Sequence, residues 1–174
     1  MSLEITKISI KGADVNISYG QDIEVGESLY DGDVADKRNA PPLESFTNKM
    51  KELAGHLLKI LPLDVEATKG LTVDTVAIDR LPEGYCIQPH CEVTAKNMLS
   101  GAFTVKPKIS EKDEAWDNKL TDIVIELIDE AEQYLGGNYA QTELDFEETK
   151  RTEAVGVPAG EVDELEEHGM RIVA

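Results

Sequence analysis

Cysteine is scarce in this sequence, two in 174 residues, whereas small domains that rely on disulfides carry more thiols in a shorter chain. A bridge framework is therefore excluded, and both thiols are expected to be reduced. No uninterrupted apolar run approaches the roughly 20 residues that cross a bilayer. The opening MSLEITKISI has no basic segment followed by an apolar one. The expectation is a soluble protein of the cytoplasm with no membrane association. Also missing are the G-x-S-x-G elbow, the H-E-x-x-H helix and the phosphate-cradling G-x-x-x-x-G-K loop. Only three histidines are present, in scattered contexts, so neither enzyme activity nor a cofactor is expected. There is no internal repeat.

Bases are the other shortage: 17 Lys and Arg face 35 Asp and Glu, for a net charge of -18. Residues 1–110 hold 16 acids and 12 bases, while residues 111–174 hold 19 acids and 5 bases. Nucleic acid and anionic membranes both attract clustered Lys and Arg, so the C-terminal third is unsuited to either. A basic partner protein suits it better.

What is present has clear periodicity. Residues Leu3 to Tyr19 alternate apolar and polar around Lys11-Gly12-Ala13-Asp14, which predicts a β-hairpin. Ile23 to Val34 predicts a further extended pair around Gly26 or Gly32, and Asp36 to Pro42 a turn segment. Leu43, Phe46, Met50, Leu53, Leu57 and Leu61 step by three and four behind Pro41-Pro42, which predicts an amphipathic helix ending near Pro62. Leu71–Asp79, Tyr85–Ile87, Cys91–Ala95 and Ala102–Val105 predict three or four antiparallel strands. Ser110 with Asp113 resembles a helix cap. Beyond it Trp116, Leu120, Ile123, Val124, Leu127, Ile128, Ala131 and Leu135 share one face before Gly136-Gly137. The fold predicted is α+β: one antiparallel sheet with two amphipathic helices packed on one face, in a single domain spanning 1–146. Residues 147–174 are expected to be an acidic tail, loosely ordered or holding one short helix.

Two stretches carry a resemblance. They are Leu127-Ile128-Asp129-Glu130-Ala131-Glu132-Gln133-Tyr134-Leu135-Gly136-Gly137 with Ala140-Gln141, and Asp36-Lys37-Arg38-Asn39-Ala40-Pro41-Pro42-Leu43 leading into Met50 to Leu61. In this order, over about the first 145 residues, the chain resembles small uncharacterised acidic proteins encoded by tailed bacteriophages and prophages. The resemblance implies a phage-encoded accessory protein acting in the bacterial cytoplasm, and it transfers no catalytic residue. Cys86, His90 and Cys91 fall outside its pattern.

Those three residues lie within six positions and are of the types Zn²⁺ prefers, but a structural zinc site commonly takes four ligands and a tight C-x₂-C turn. The only other histidines, His56 and His168, lie on the first helix and in the tail, so buried thiols beside a surface histidine are expected instead of a metal site. Asp31, Asp33 and Asp36 suggest oxygen ligation, yet the glycine that a calcium loop needs for its sharp turn is misplaced, and a polar turn at a sheet edge is expected. Asp74 and Asp79 form a carboxylate pair of the kind that chance supplies in so acidic a chain.

The acidic surface is the feature that departs furthest from an ordinary domain. Asp117, Asp122, Asp129, Glu130 and Glu132 are expected on the polar face of the second helix, where they would meet a basic groove as nucleic-acid charge does. The bland counterpart is a solvated face that maintains solubility. The function expected is non-enzymatic binding that inhibits a host defence or nucleic-acid-handling protein. One alternative is a protein that binds or sequesters a small ligand such as a nucleotide signal. It draws on Lys37, Arg38, Arg80, Lys96, Lys106 and Lys108 and requires several of them to converge on one concavity. The other is a metal-dependent hydrolase. The first helix is also a candidate face for a homo-oligomer.

Overall fold

Alternating polarity over Glu4–Val25 builds the first hairpin. In the computed structural model, which describes residues 3–140, β1 (Glu4–Lys11) and β2 (Asp14–Val25) pair antiparallel from Lys11↔Asp14 back to Glu4↔Gly20. Gly12 takes a φ of 63° in the two-residue turn, a left-handed conformation that hairpin turns require and a Cβ resists. Gly26, at φ 66°, does the same between β2 and β3 (Ser28–Asn39). Ile5 and Ile8 both reach the core despite their odd spacing, because the register slips between Ile5 and Lys7.

After Pro41-Pro42, α1 (Glu44–Ile60) carries the chain to β4 (Thr68–Leu81), which lies antiparallel beside β1. A turn through Pro82-Glu83 leads into β5 (Gly84–Ala95), and the short β6 (Phe103–Val105) and β7 (Ile109–Ser110) pair with different stretches of β5. The strand order is β3-β2-β1-β4-β5-β6, with β7 also on β5. The chain then enters α2 (Asn118–Leu135). The class is α+β, with a seven-stranded antiparallel sheet and two helices among the described residues. Neither helix is long and apolar enough to cross a membrane.

Helical spacing puts Phe46, Met50, Leu53 and Leu57 of α1, and Leu120, Ile123, Leu127 and Ala131 of α2, into one cluster with Ile8, Ile17, Val76, Ile78 and Ile87 of the sheet. Each fully buried Leu or Ile stabilises the fold by about 1.5–3 kcal/mol. The end of α2 is fastened to the link between β3 and α1. Tyr134 donates its O–H to the Ala40 carbonyl at 2.6 Å, and the Ala140 amide donates to the Pro41 carbonyl at 2.9 Å.

Four expectations need correction. Asp36–Asn39 is strand and not turn, because each residue from Asp36 to Asn39 pairs with β2 while Arg38 closes a bidentate ion pair with Asp36. β5 does not break between Ile87 and Cys91. Pro89 is accommodated where that edge of β5 has no partner among the described residues, between the residues paired with β7 and those paired with β6. Ser110 and Asp113 close a turn that precedes α2, and the helix is capped by Asp117, whose side chain accepts from the Leu120 amide at 2.8 Å. Trp116 therefore lies outside the helix, half-buried against the core, with its indole N–H donated to Thr121 Oγ1. The expected tail at 147–174, and the last six residues of the expected domain, lie outside the described residues.

Candidate functional site

The α2 carboxylates are divided by their local roles. Asp117 is the N-cap and also meets His56 Nε2 of α1 at 2.8 Å. The Leu120 amide, and then His56, hold its carboxyl below the usual carboxylate range. Glu130 accepts from Ser45 Oγ at 3.0 Å. Asp122 and Asp129 are exposed and Glu132 is half-buried. Between the helices, Lys49 bridges Glu126 and Glu52, and Lys119 also reaches Glu52. Hydrogen bonds from Lys49 to Glu126 and then Glu52 push the lysine up to about 12, and Lys119 is the main cause that lowers Glu52. Part of the helical charge is thus answered by lysines of the same layer, and the five predicted residues do not form one uniform patch.

A denser acidic feature lies on the sheet. β1 pairs with β2 only as far as Gly20, so β2 and β3 continue beyond that point as a two-stranded arm with no third strand among the described residues. From Gln21 to Asp33 the arm holds five acids and no base, and Asp22 to Asp31 are all exposed. Strand alternation makes it amphipathic. Ile23, Val25 and Tyr30 continue the face that carries Val15 and Ile17 in the core, while Asp22, Glu24, Asp31 and Asp33 project from the other. The Ile23 side chain lies across Gly32, where a Cβ would stand 2.5 Å from Ile23 Cδ1. Asp22 directly faces Asp31 in the register. Asp36, half-buried on the opposite face of β3 from Asp31 and Asp33, is committed to Arg38, which separates the three aspartates considered for a cation.

The six cations considered for a small ligand do not converge. Arg38 donates to Asp36 and to the Tyr134 carbonyl, and stacks 5.9 Å from the Tyr134 ring centroid. Lys37 projects on the opposite face of the same strand. Arg80 and Lys96 flank β5 at its two ends, which roughly 35 Å of strand separates at 3.3–3.4 Å per residue. Lys108 lies near the Cys86 thiol. Lys106 lines a groove of 270 Å³ on the sheet face away from the helices, and none of the other five lines it. Lys106 is joined there by Lys7 and Lys11 of β1, Asp74 and Thr75 of β4, and His90 of β5. A register slip between Val73 and Thr75 re-aims Asp74 onto this face. Its carboxylate meets His90 Nδ1 at 2.9 Å and Lys11 Nζ at 3.7 Å. Lys7 and Lys11 were not foreseen as site residues. The period-2 pattern of β1, which puts Lys7, Ser9 and Lys11 on one face, was the signal that could have found them.

Alternation also separates the zinc candidates. Cys91 is buried in the core cluster, whereas His90, one residue earlier, lines the groove on the opposite face, and Cys86 lies four residues before His90. Burial pushes the Cys91 thiol up to about 11 and raises Cys86 as well. No group of three or more His, Cys, Asp or Glu able to hold a metal occurs among the described residues. No family model matches the chain, and comparison with the curated proteins and with the solved structures gave no significant match.

Proposed function

We propose that the protein acts without catalysis, by binding a basic partner protein through its acidic surfaces, with the β2–β3 arm as the principal contact. This is the work of the phage accessory protein that the sequence resemblance implies. Blocking a host defence or nucleic-acid-handling protein is the consequence, because a surface that presents carboxylates competes for grooves evolved to hold phosphates.

The observation that carries the reading is the placement of Asp22 opposite Asp31 on an arm without a single base. Like charges directly opposite each other destabilise a strand pair by about 0.2–1 kcal/mol, and an isolated two-stranded hairpin is marginal to begin with. An arrangement that costs local stability has its return in contact with opposite charge. The exposed Ile23, Val25 and Tyr30 on the other face supply the apolar area that turns electrostatic encounter into affinity.

Immobilised full-length protein exposed to bacterial lysate tests this in three forms: wild type, Asp31→Lys, and a double reversal at Asp122 and Asp129. A protein with an excess of Lys and Arg should be retained by the wild type and lost from Asp31→Lys. Retention of the same protein by Asp31→Lys and loss from the helix double variant would move the contact to α2. Capture that ignores both reversals would refute an electrostatic contact.

A further inference from the structure

We infer that the groove on the sheet face away from the helices is a binding site for a small phosphate-bearing anion, independent of the acidic arm. In a chain with twice as many acids as bases, three lysines approach this one concavity against a single carboxylate. That carboxylate, Asp74, is already engaged by Lys11 and His90. Lys7 and Lys106 meet no acid within ion-pair distance among the described residues. Their charge is therefore uncompensated locally, and concave walls concentrate such a field toward an incoming anion.

The register explains the shape. Ser9, Thr75 and His90 stand in one row across β1, β4 and β5, and Lys7, Ala77 and Gln88 stand in the next. Short side chains at Ser9, Thr75 and Ala77 make a low floor, tied together by the Thr75–Ser9 hydrogen bond of 2.9 Å. Lys7, Lys11 and Lys106 make a tall rim around it. Lys106 reaches the groove because β6 ends at Val105 and β7 begins only at Ile109, which leaves the β5 edge at His90 without a strand partner among the described residues. The Asp74 bulge orients His90 through Nδ1 and leaves Nε2 for the groove.

Volume limits the ligand. At 270 Å³ the groove falls just below the roughly 300 Å³ at which sites for drug-sized molecules begin, so it suits inorganic pyrophosphate, a sugar phosphate or a single nucleotide.

Backbone and side-chain NMR of the full chain, titrated separately with pyrophosphate, adenosine monophosphate and adenosine, tests the site. Saturable shifts at Lys7, Thr75, Gln88 and His90 are expected with both phosphates and not with adenosine. Lys7→Gln and Lys106→Gln should each weaken binding about tenfold, the worth of one charge-assisted hydrogen bond, while Lys51→Gln, on α1 across the sheet, leaves it unchanged. These exposed positions leave the fold intact, which the melting temperature checks. Binding of pyrophosphate without adenosine monophosphate would confirm the anion site and restrict it to ligands smaller than a nucleotide. Absence of shifts with either phosphate at millimolar concentration, or shifts that survive both lysine substitutions, would overturn the proposal. So would shifts produced only by a single-stranded oligonucleotide titrated in parallel, which would make the face a nucleic-acid surface.

Discussion

Asp22 and Asp31 face each other across the β2–β3 arm, in direct register and both exposed. Replacing one member by a base converts repulsion into attraction. Asp31→Lys is therefore expected to leave the melting temperature equal to or above that of the wild type, while amide exchange across Ile23–Tyr30 slows by the equivalent of about 0.2–1 kcal/mol. Faster exchange in the variant would show that the pair is not under strain.

Leu127 is fully buried at the centre of the helix layer. Leu127→Ala should cost on the order of 2–5 kcal/mol, through lost transfer energy and the cavity left behind. Urea denaturation reads this as a lower midpoint with an unchanged slope. An unchanged midpoint would place the α2 stripe outside the core.

Asp117 caps α2 and meets His56, and its carboxyl is held low chiefly by the Leu120 amide. A carboxylate whose folded pKa is depressed contributes stability above its unfolded value, near about 4, and that contribution is lost as pH falls through the folded value. Glu52, lowered mainly by Lys119, acts in the same direction. Asp117→Ala should cost about 0.5–2 kcal/mol at neutral pH. Thermal melts between about pH 5 and pH 3 should then fall less steeply in the variant than in the wild type. Parallel acid limbs would remove Asp117 from the account.

Cys86 and Cys91 are both buried, with their thiols raised. A thiol reagent at neutral pH should modify Cys91 only at the rate of unfolding, because little thiolate forms in the native state. Rapid native-state labelling of Cys91, mapped by mass spectrometry, would contradict its place in the core.

Much of this architecture was legible in the sequence. The 3.6-residue spacing from Phe46 to Leu57 and from Leu120 to Leu135 defines both helices, and Gly12 marks the first hairpin turn. The misreadings have local causes. Asp36–Asn39 looks like turn material by composition, yet β2 supplies partners for every backbone position, and tertiary pairing prevails over propensity. Pro89 looks like a strand breaker and is tolerated because no described strand pairs with its edge of β5 there. The groove was hidden for a different reason. Lys7, Asp74, His90 and Lys106 come from four separate segments, and only strand order and the bulge at Asp74 bring them together.

The most direct test of the central claim is the association rate between the full-length protein and its captured basic partner, measured for the wild type and Asp31→Lys across a salt series. Steering by exposed charge is screened over a Debye length of about 8 Å at physiological ionic strength and acts on the on-rate more than on affinity. The wild-type on-rate should fall steeply as salt rises. The Asp31→Lys on-rate should start lower and fall less, with thermal stability undiminished. An on-rate that is indifferent both to salt and to the reversal would contradict the account and leave the acidic arm a device for solubility.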